Sequence, residues 1–155
     1  MSKIDLTIQP EGLRHNIEKA RENSIIIPTI AQMQRPETIP EKIQAKLKSV
    51  GLWDVNPLNL FRITWKNEAK ESGGLFQAVP NYVEIPSKLS GVPCRIIAMA
   101  GKWFPTGCHK VGASFGCLAP RLVTGQFDAT WHKAVWPSTG NYCRGGAFNS
   151  KLLAC

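Results

Sequence analysis

The sequence predicts an α/β fold, a parallel sheet with flanking helices, and its second half carries that expectation. "CRIIAMAG", residues 94 to 101, is a short isoleucine-rich apolar run between Pro93 and Gly101, which suits a strand buried on both faces. After the loop "KWFPTGCH", Val111, Phe115, Leu118 and Leu122 recur at i, i+4, i+7 and i+11, the spacing of one helix face. "KAVWPS", residues 133 to 138, reads as a second buried strand, and "STGN" leads from it to a further stripe at Phe148, Leu152 and Cys155. Strand, loop and helix twice in succession is the order of a parallel sheet with right-handed crossovers.

The first half reads differently. Leu13, Ile17 and Ala20 form a helical stripe after Pro10, ended by Asn23 and Ser24. Pro40 sits at the first turn of a second helix, with Ile43, Leu47 and Val50 on one face and Gly51 where a C′ glycine is expected. "SGG" at 72 to 74 is a loop and "NYVEIP" an extended segment. Residues 1–93 therefore form a helical lead-in with an irregular segment, and residues 94–155 the start of an α/β domain. "SKLLAC" ends inside an apolar helical stripe, with no glycine cap and no following strand. Two or three strands do not fill a covered parallel sheet, so the chain is expected to be the front portion of a longer α/β protein.

The 155 residues are the length of one domain, and an apolar content of 43% suffices for a packed core. "MSKIDLTIQPEG" has no apolar h-region, and no apolar run reaches membrane-spanning length. Five cysteines without regular spacing read as reduced thiols, so the expectation is a cytoplasmic protein with no membrane partner. The net charge of +8 raises nucleic acid as a partner. Its basic residues come singly, however, and no RNA- or DNA-binding signature accompanies them, so no nucleic-acid partner is expected. A solvated basic face, or attraction for an anionic substrate or a phosphate-bearing cofactor, accounts for the charge.

Two segments carry candidate chemistry. Lys110 falls in the loop after the first strand, at the start of its helix; Ser138, Thr139, Gly140 and Asn141 lead from the second strand into the next helix. Ligands of open α/β sheets gather at such strand-to-helix loops. An amine at the positive end of a helix dipole is favoured in its uncharged, nucleophilic form. The Gly140 turn leaves backbone N–H groups free for a carboxylate, Ser138 and Thr139 add hydroxyls, and the Asn141 amide can donate to a phenolate oxygen. An imine-forming amine, a carboxylate cradle and an aromatic-oxygen donor are what a pyridoxal phosphate site needs. Competing readings are weaker. Cys108, His109, Cys117 and Cys143 lack zinc-ligand spacing, no Cys has a histidine and carboxylate partner set, and His15 and His132 read as surface or boundary residues. Trp53, Trp65, Trp103, Trp131 and Trp136 show no stacking-platform pattern and are assigned to the core.

"FPTGCHKVGAS" resembles the cofactor-lysine segment of fold-type II pyridoxal-phosphate enzymes, the tryptophan synthase β and cysteine synthase-like superfamily, and "PSTGNYCRGG" resembles their asparagine loop. That likeness covers mainly residues 94 to 146. Over nearly all 155 residues, including "IPEKI", "LWDVNPLNLFRITWKNE" and "MAGKWFPTG", the chain also resembles bacterial proteins labelled PLP-dependent protein β subunit. The resemblance implies pyridoxal 5′-phosphate as cofactor, held by Lys110 as a Schiff base, with Lys110 also moving protons. It implies that Asn141 bonds the pyridine 3′ oxygen, that Ser138, Thr139 and Gly140 bind the substrate α-carboxylate, and that His109 sits near the phosphate. The implied reaction is lyase-type, β-elimination or β-replacement on a small-molecule amino acid. The chain would then be the amino-terminal part of such an enzyme, with its phosphate loop and ring-nitrogen residue past Cys155. A homo-oligomer or a complementing subunit stays open as partner, and a non-catalytic truncated subunit with a structural or partner-binding role is the alternative.

Overall fold

A computed structural model describes residues 5–155. In chain order the helices are α1 (Pro10–Glu22), α2 (Ile30–Gln34), α3 (Glu41–Leu47), α4 (Ser87–Ser90), α5 (Lys110–Thr124) and α6 (Asn141–Leu152). Short 3-10 turns stand at Pro36–Thr38, Pro57–Arg62, Lys70–Ser72 and Pro105–Gly107. The strands are β1 (Tyr82–Ile85) and β2 (Ile96–Met99), which pair with each other alone, antiparallel, Tyr82 opposite Met99 and Ile85 opposite Ile96.

The parallel α/β sheet expected from the sequence is therefore absent among the described residues; the chain is 47% helical. Two local facts explain the difference. The connection from Pro86 to Arg95 turns through α4 and the left-handed Gly91, which returns the chain alongside β1 rather than crossing over the sheet. The expected strand at 133–138 has no regular structure, because Trp136 leaves the line of the chain to pack on Gly146 and to donate from Nε1 to Ser150 Oγ at 3.0 Å. With no third strand, β2 is solvated rather than buried: Ile97 and Met99 are each 46% exposed. An apolar run cannot distinguish a buried strand from one left uncovered.

The helical expectations fare better, with changed faces. Val111, Phe115, Leu118 and Leu122 are all buried and form the main core with Leu60, Ile63, Phe104, Leu152 and Leu153. Pro120 neither ends nor splits α5. The carbonyl it strands belongs to exposed Gly116, which can turn to water. In α1 the fully buried residues are Gly12 and Asn16, while Leu13 and Ala20 are half-buried and Ile17 is exposed. Gly12 meets the Gly125 backbone too closely for any Cβ, and Asn16 Nδ2 donates to the Leu122 and Phe127 carbonyls at 2.9 and 2.6 Å. α3 stops at Leu47, so Gly51 is not its C′ residue. A second small core joins Ile39, Leu47 and Phe61. Two tryptophans assigned to the core are on the surface, Trp53 at 60% and Trp131 at 70% exposure.

Between the cores the chain is largely irregular, and buried polar side chains satisfy its backbone. Arg62 donates to the carbonyls of Leu47, Val50 and Gly74, and its burial lowers the guanidinium from its ordinary range. Asn67 Nδ2 donates to the Arg62, Thr64 and Trp103 carbonyls.

α1 is tied to the segment after α5 by His15 Nδ1 and Asp128 Oδ2, 2.7 Å apart. The Thr130 hydroxyl, 2.6 Å from Asp128 Oδ1, is the main cause holding the Asp128 carboxyl below its usual range; His15 adds to it, while burial opposes. A carboxyl depressed by folding contributes fully above its unfolded value of about 4 and loses that contribution as pH falls through the folded value. Asp128→Asn should therefore lower stability at neutral pH, with the deficit shrinking progressively below about pH 4. Urea melts across that range read it; a deficit constant with pH would refute the assignment.

Candidate functional site

The two candidate segments sit where α5 and α6 cross. Gly145 makes the crossing close: a Cβ there would stand 2.8 Å from Val111 N and Cα and 3.0 Å from the carbonyl carbon of Lys110. Asn149, one turn on and fully buried, donates from Nδ2 to Val111 O at 2.7 Å and Ser114 Oγ at 2.8 Å. The first turn of α5 is thus fixed against the second turn of α6.

Lys110 is the first residue of α5 and is exposed. Cys117, seven positions on, shares its helix face. Tyr142 from the first turn of α6 places its hydroxyl 3.3 Å from Cys117 Sγ. That thiol, helped by burial, pushes the Tyr142 hydroxyl above its ordinary range. The start of α6 therefore flanks the face from which Lys110 projects.

Asn141 is the first residue of α6, and its Oδ1 accepts from Arg144 Nη2 at 2.6 Å. This contact orients the amide and leaves both Nδ2 hydrogens for a ligand. The Arg144 guanidinium lies 5.3 Å over the Trp53 ring, and Trp53 Cζ2 would be 3.6 Å from a Cβ on Gly107. Trp53 and Arg144 thereby link the asparagine turn to the lysine loop. Ser138, Thr139 and Gly140 form an exposed turn in which Ser138 Oγ accepts from Gly140 N at 3.3 Å. Gly140 is the N-cap, and no side chain caps α6.

The lysine loop is locally strained. Thr106 has φ +65° and Gly107 +69°, and Gly107 N donates to Phe104 O at 2.8 Å to close the turn. A left-handed threonine costs about 1–3 kcal/mol, and this one is buried with its Oγ1 unpartnered among the described residues. His109 follows as N-cap of α5, its ring stacked on Trp65 at 5.4 Å and 24°. It faces a cleft of about 430 Å³ that Lys110 does not line.

Charge is one-sided here. Asp128 is the sole acidic residue from 85 to 155, whereas Lys88, Arg95, Lys102, Lys110, Arg121, Lys133, Arg144 and Lys151 are basic. An anionic ligand is favoured across this half.

All six expected residues are thus in the described structure. Lys110 and Asn141 come to one helix crossing, Ser138, Thr139 and Gly140 lie just before it, and His109 turns to the neighbouring cleft. Sequence reasoning missed Trp53, Arg144, Gly145 and Asn149. The "RGG" text at 144 to 146 was the signal for close helix approach; nothing in the sequence singled out Trp53. Comparison with known proteins found no family model, no curated protein and no solved structure that matches this chain. Among the described residues no helix is long and apolar enough to cross a membrane.

Gly145→Ala should destabilise by about 1–3 kcal/mol through overpacking against the Val111 backbone. Chemical unfolding measures it; a change within about 0.5 kcal/mol would mean that the crossing yields easily.

Proposed function

We propose that this chain carries the lysine and asparagine elements of a pyridoxal 5′-phosphate site, in an enzyme of the lyase type acting on an amino acid. The supporting observation is the α5–α6 crossing, which packs Gly145 of α6 against the Lys110–Val111 backbone at the start of α5, one turn from an Asn141 amide already oriented by Arg144. The residues fit the cofactor along one side. Lys110 Nζ would hold the cofactor aldehyde and move protons, Asn141 Nδ2 would donate to the ring oxygen, and the uncapped α6 N-terminus with Ser138, Thr139 and Gly140 would receive the substrate carboxylate. When bound, the pyridoxal ring supplies the electron sink for proton loss at Cα and elimination or replacement at Cβ. The basic balance around the crossing draws in a phosphate-bearing molecule. We place the protein in the cytoplasm on its unpaired cysteines.

The alternative reading, a non-catalytic subunit that contributes structure or binds a partner, is favoured by one fact: Lys110, His109, Ser138, Thr139, Gly140 and Asn141 are all exposed. An amine that must shed its proton and a reaction that must exclude water both gain from enclosure. A second protein surface closing over the crossing, from a homo-oligomer or a complementing subunit, reconciles the two readings.

Incubation with pyridoxal phosphate, borohydride reduction and mass-spectrometric mapping test the assignment. One dominant adduct at Lys110, absent in Lys110→Ala, is expected. Asn141→Ala and Arg144→Ala should each weaken cofactor uptake about tenfold, the worth of one charge-assisted hydrogen bond. Labelling spread over exposed lysines such as Lys42, Lys46 and Lys48 would count against a built site.

A further inference from the structure

We propose that the cleft between α2 and the start of α5 is a binding site for a small aromatic anion. It shares His109 with the residues expected at the cofactor but not Lys110 or Asn141, which do not line it. One wall is aromatic: Trp65 stacks on His109 at 5.4 Å and meets Phe104 edge-on at 5.0 Å. Ile30 and Met33 of α2 also line it, with Ile30 67% exposed. An unbranched methionine facing aromatic rings adapts to the shape of a flat guest.

Gly112 lets the start of α5 pack closely on the floor of the cleft. A Cβ there would come within 3.1 Å of Ile63 Cγ2 and 4.0 Å of Phe104 Cε1. The volume of about 430 Å³ lies in the range of small-molecule sites, and an apolar body with a few polar groups at its edge is their usual make-up. Those groups are Gln34, Thr64, Lys66 and His109, with no carboxylate among the lining residues. The Lys66 side chain is only 18% exposed; it also lines an adjoining pocket with Glu37 and Glu68, and its Nζ stands 3.8 Å from Glu37 Oε2, a side chain that is 63% exposed. Lys66 is the single lysine or arginine among the lining residues, and a guest anion would compete with the exposed Glu37 for it, while the rings select the planar body.

Titration with indole-3-propionate, followed by calorimetry and by backbone amide shifts, tests the site on the full chain. Saturable binding with a Kd of about 1 mM or tighter is expected, with shifts concentrated at Trp65, Gly112 and Ala113. Neutral 3-methylindole should bind at least about tenfold more weakly, and Lys66→Met should abolish that preference. Ala113→Trp and Ile30→Trp, at exposed positions lining the cleft, should each weaken binding about tenfold or more with unchanged circular dichroism. Ile30→Trp should leave borohydride trapping at Lys110 unchanged, which separates failure of the cleft from failure of the cofactor reading. No saturation by about 5 mM, shifts centred elsewhere, equal affinity for the neutral analogue, or indifference to both obstructing variants would each overturn the proposal.

Discussion

The close crossing of α5 and α6 is the constraint on which the functional half of the molecule depends. Gly145 lets the two backbones meet, and Asn149 locks the meeting by bonding Val111 O and Ser114 Oγ. Without a side chain at 145 the first turn of α5 rests directly on α6, so Lys110 leaves its helix at a fixed height relative to Asn141. The same crossing brings Leu152 and Leu153 onto the face of α5 that carries Val111, Phe115 and Leu118, closing the main core. Packing and placement of the candidate site are therefore one event. A change that loosens the helices also moves the lysine.

A second constraint is the supply of hydrogen bonds to a chain with little sheet. Residues 47 to 81 make a long, mostly irregular passage, and its carbonyls are met by buried amides and a guanidinium: Asn59, Arg62, Asn67 and Asn81. A backbone carbonyl buried without a donor costs as much as a lost hydrogen bond, so each of these side chains substitutes for a strand neighbour. The arrangement holds Trp65 and Phe104 beside His109. It also makes the passage dependent on individual side chains rather than on a repeating ladder.

Both candidate segments were legible in the sequence as turns into helices, from Pro-Thr-Gly before a lysine and Ser-Thr-Gly before an asparagine. Lys110 and Asn141 indeed begin α5 and α6. The expected parallel sheet was not borne out, since strand neighbours are chosen by distant parts of the chain. Ile96 to Met99 have the composition of a core strand, yet their sole partner is a hairpin strand and water reaches both. Trp136 shows the same limit: it reads as part of a strand and acts as a side chain packed across Gly146. The support for the candidate site was equally hidden, because Trp53 lies 91 positions before Arg144 and carries no local mark of the contact it makes.

The sequence alone determined α1, α3, α5 and α6, where each begins, and the apolar stripe of α5, since these follow from spacing and turn chemistry within a few residues. It also determined the basic balance of the second half. Tertiary structure alone decided which strands pair, that α1 docks with Gly12 and Asn16 fully buried, and that Arg144 orients Asn141 while Trp53 bridges to the lysine loop. Those outcomes turn on how closely two backbones approach and which buried amide reaches which carbonyl, distances that no periodicity encodes.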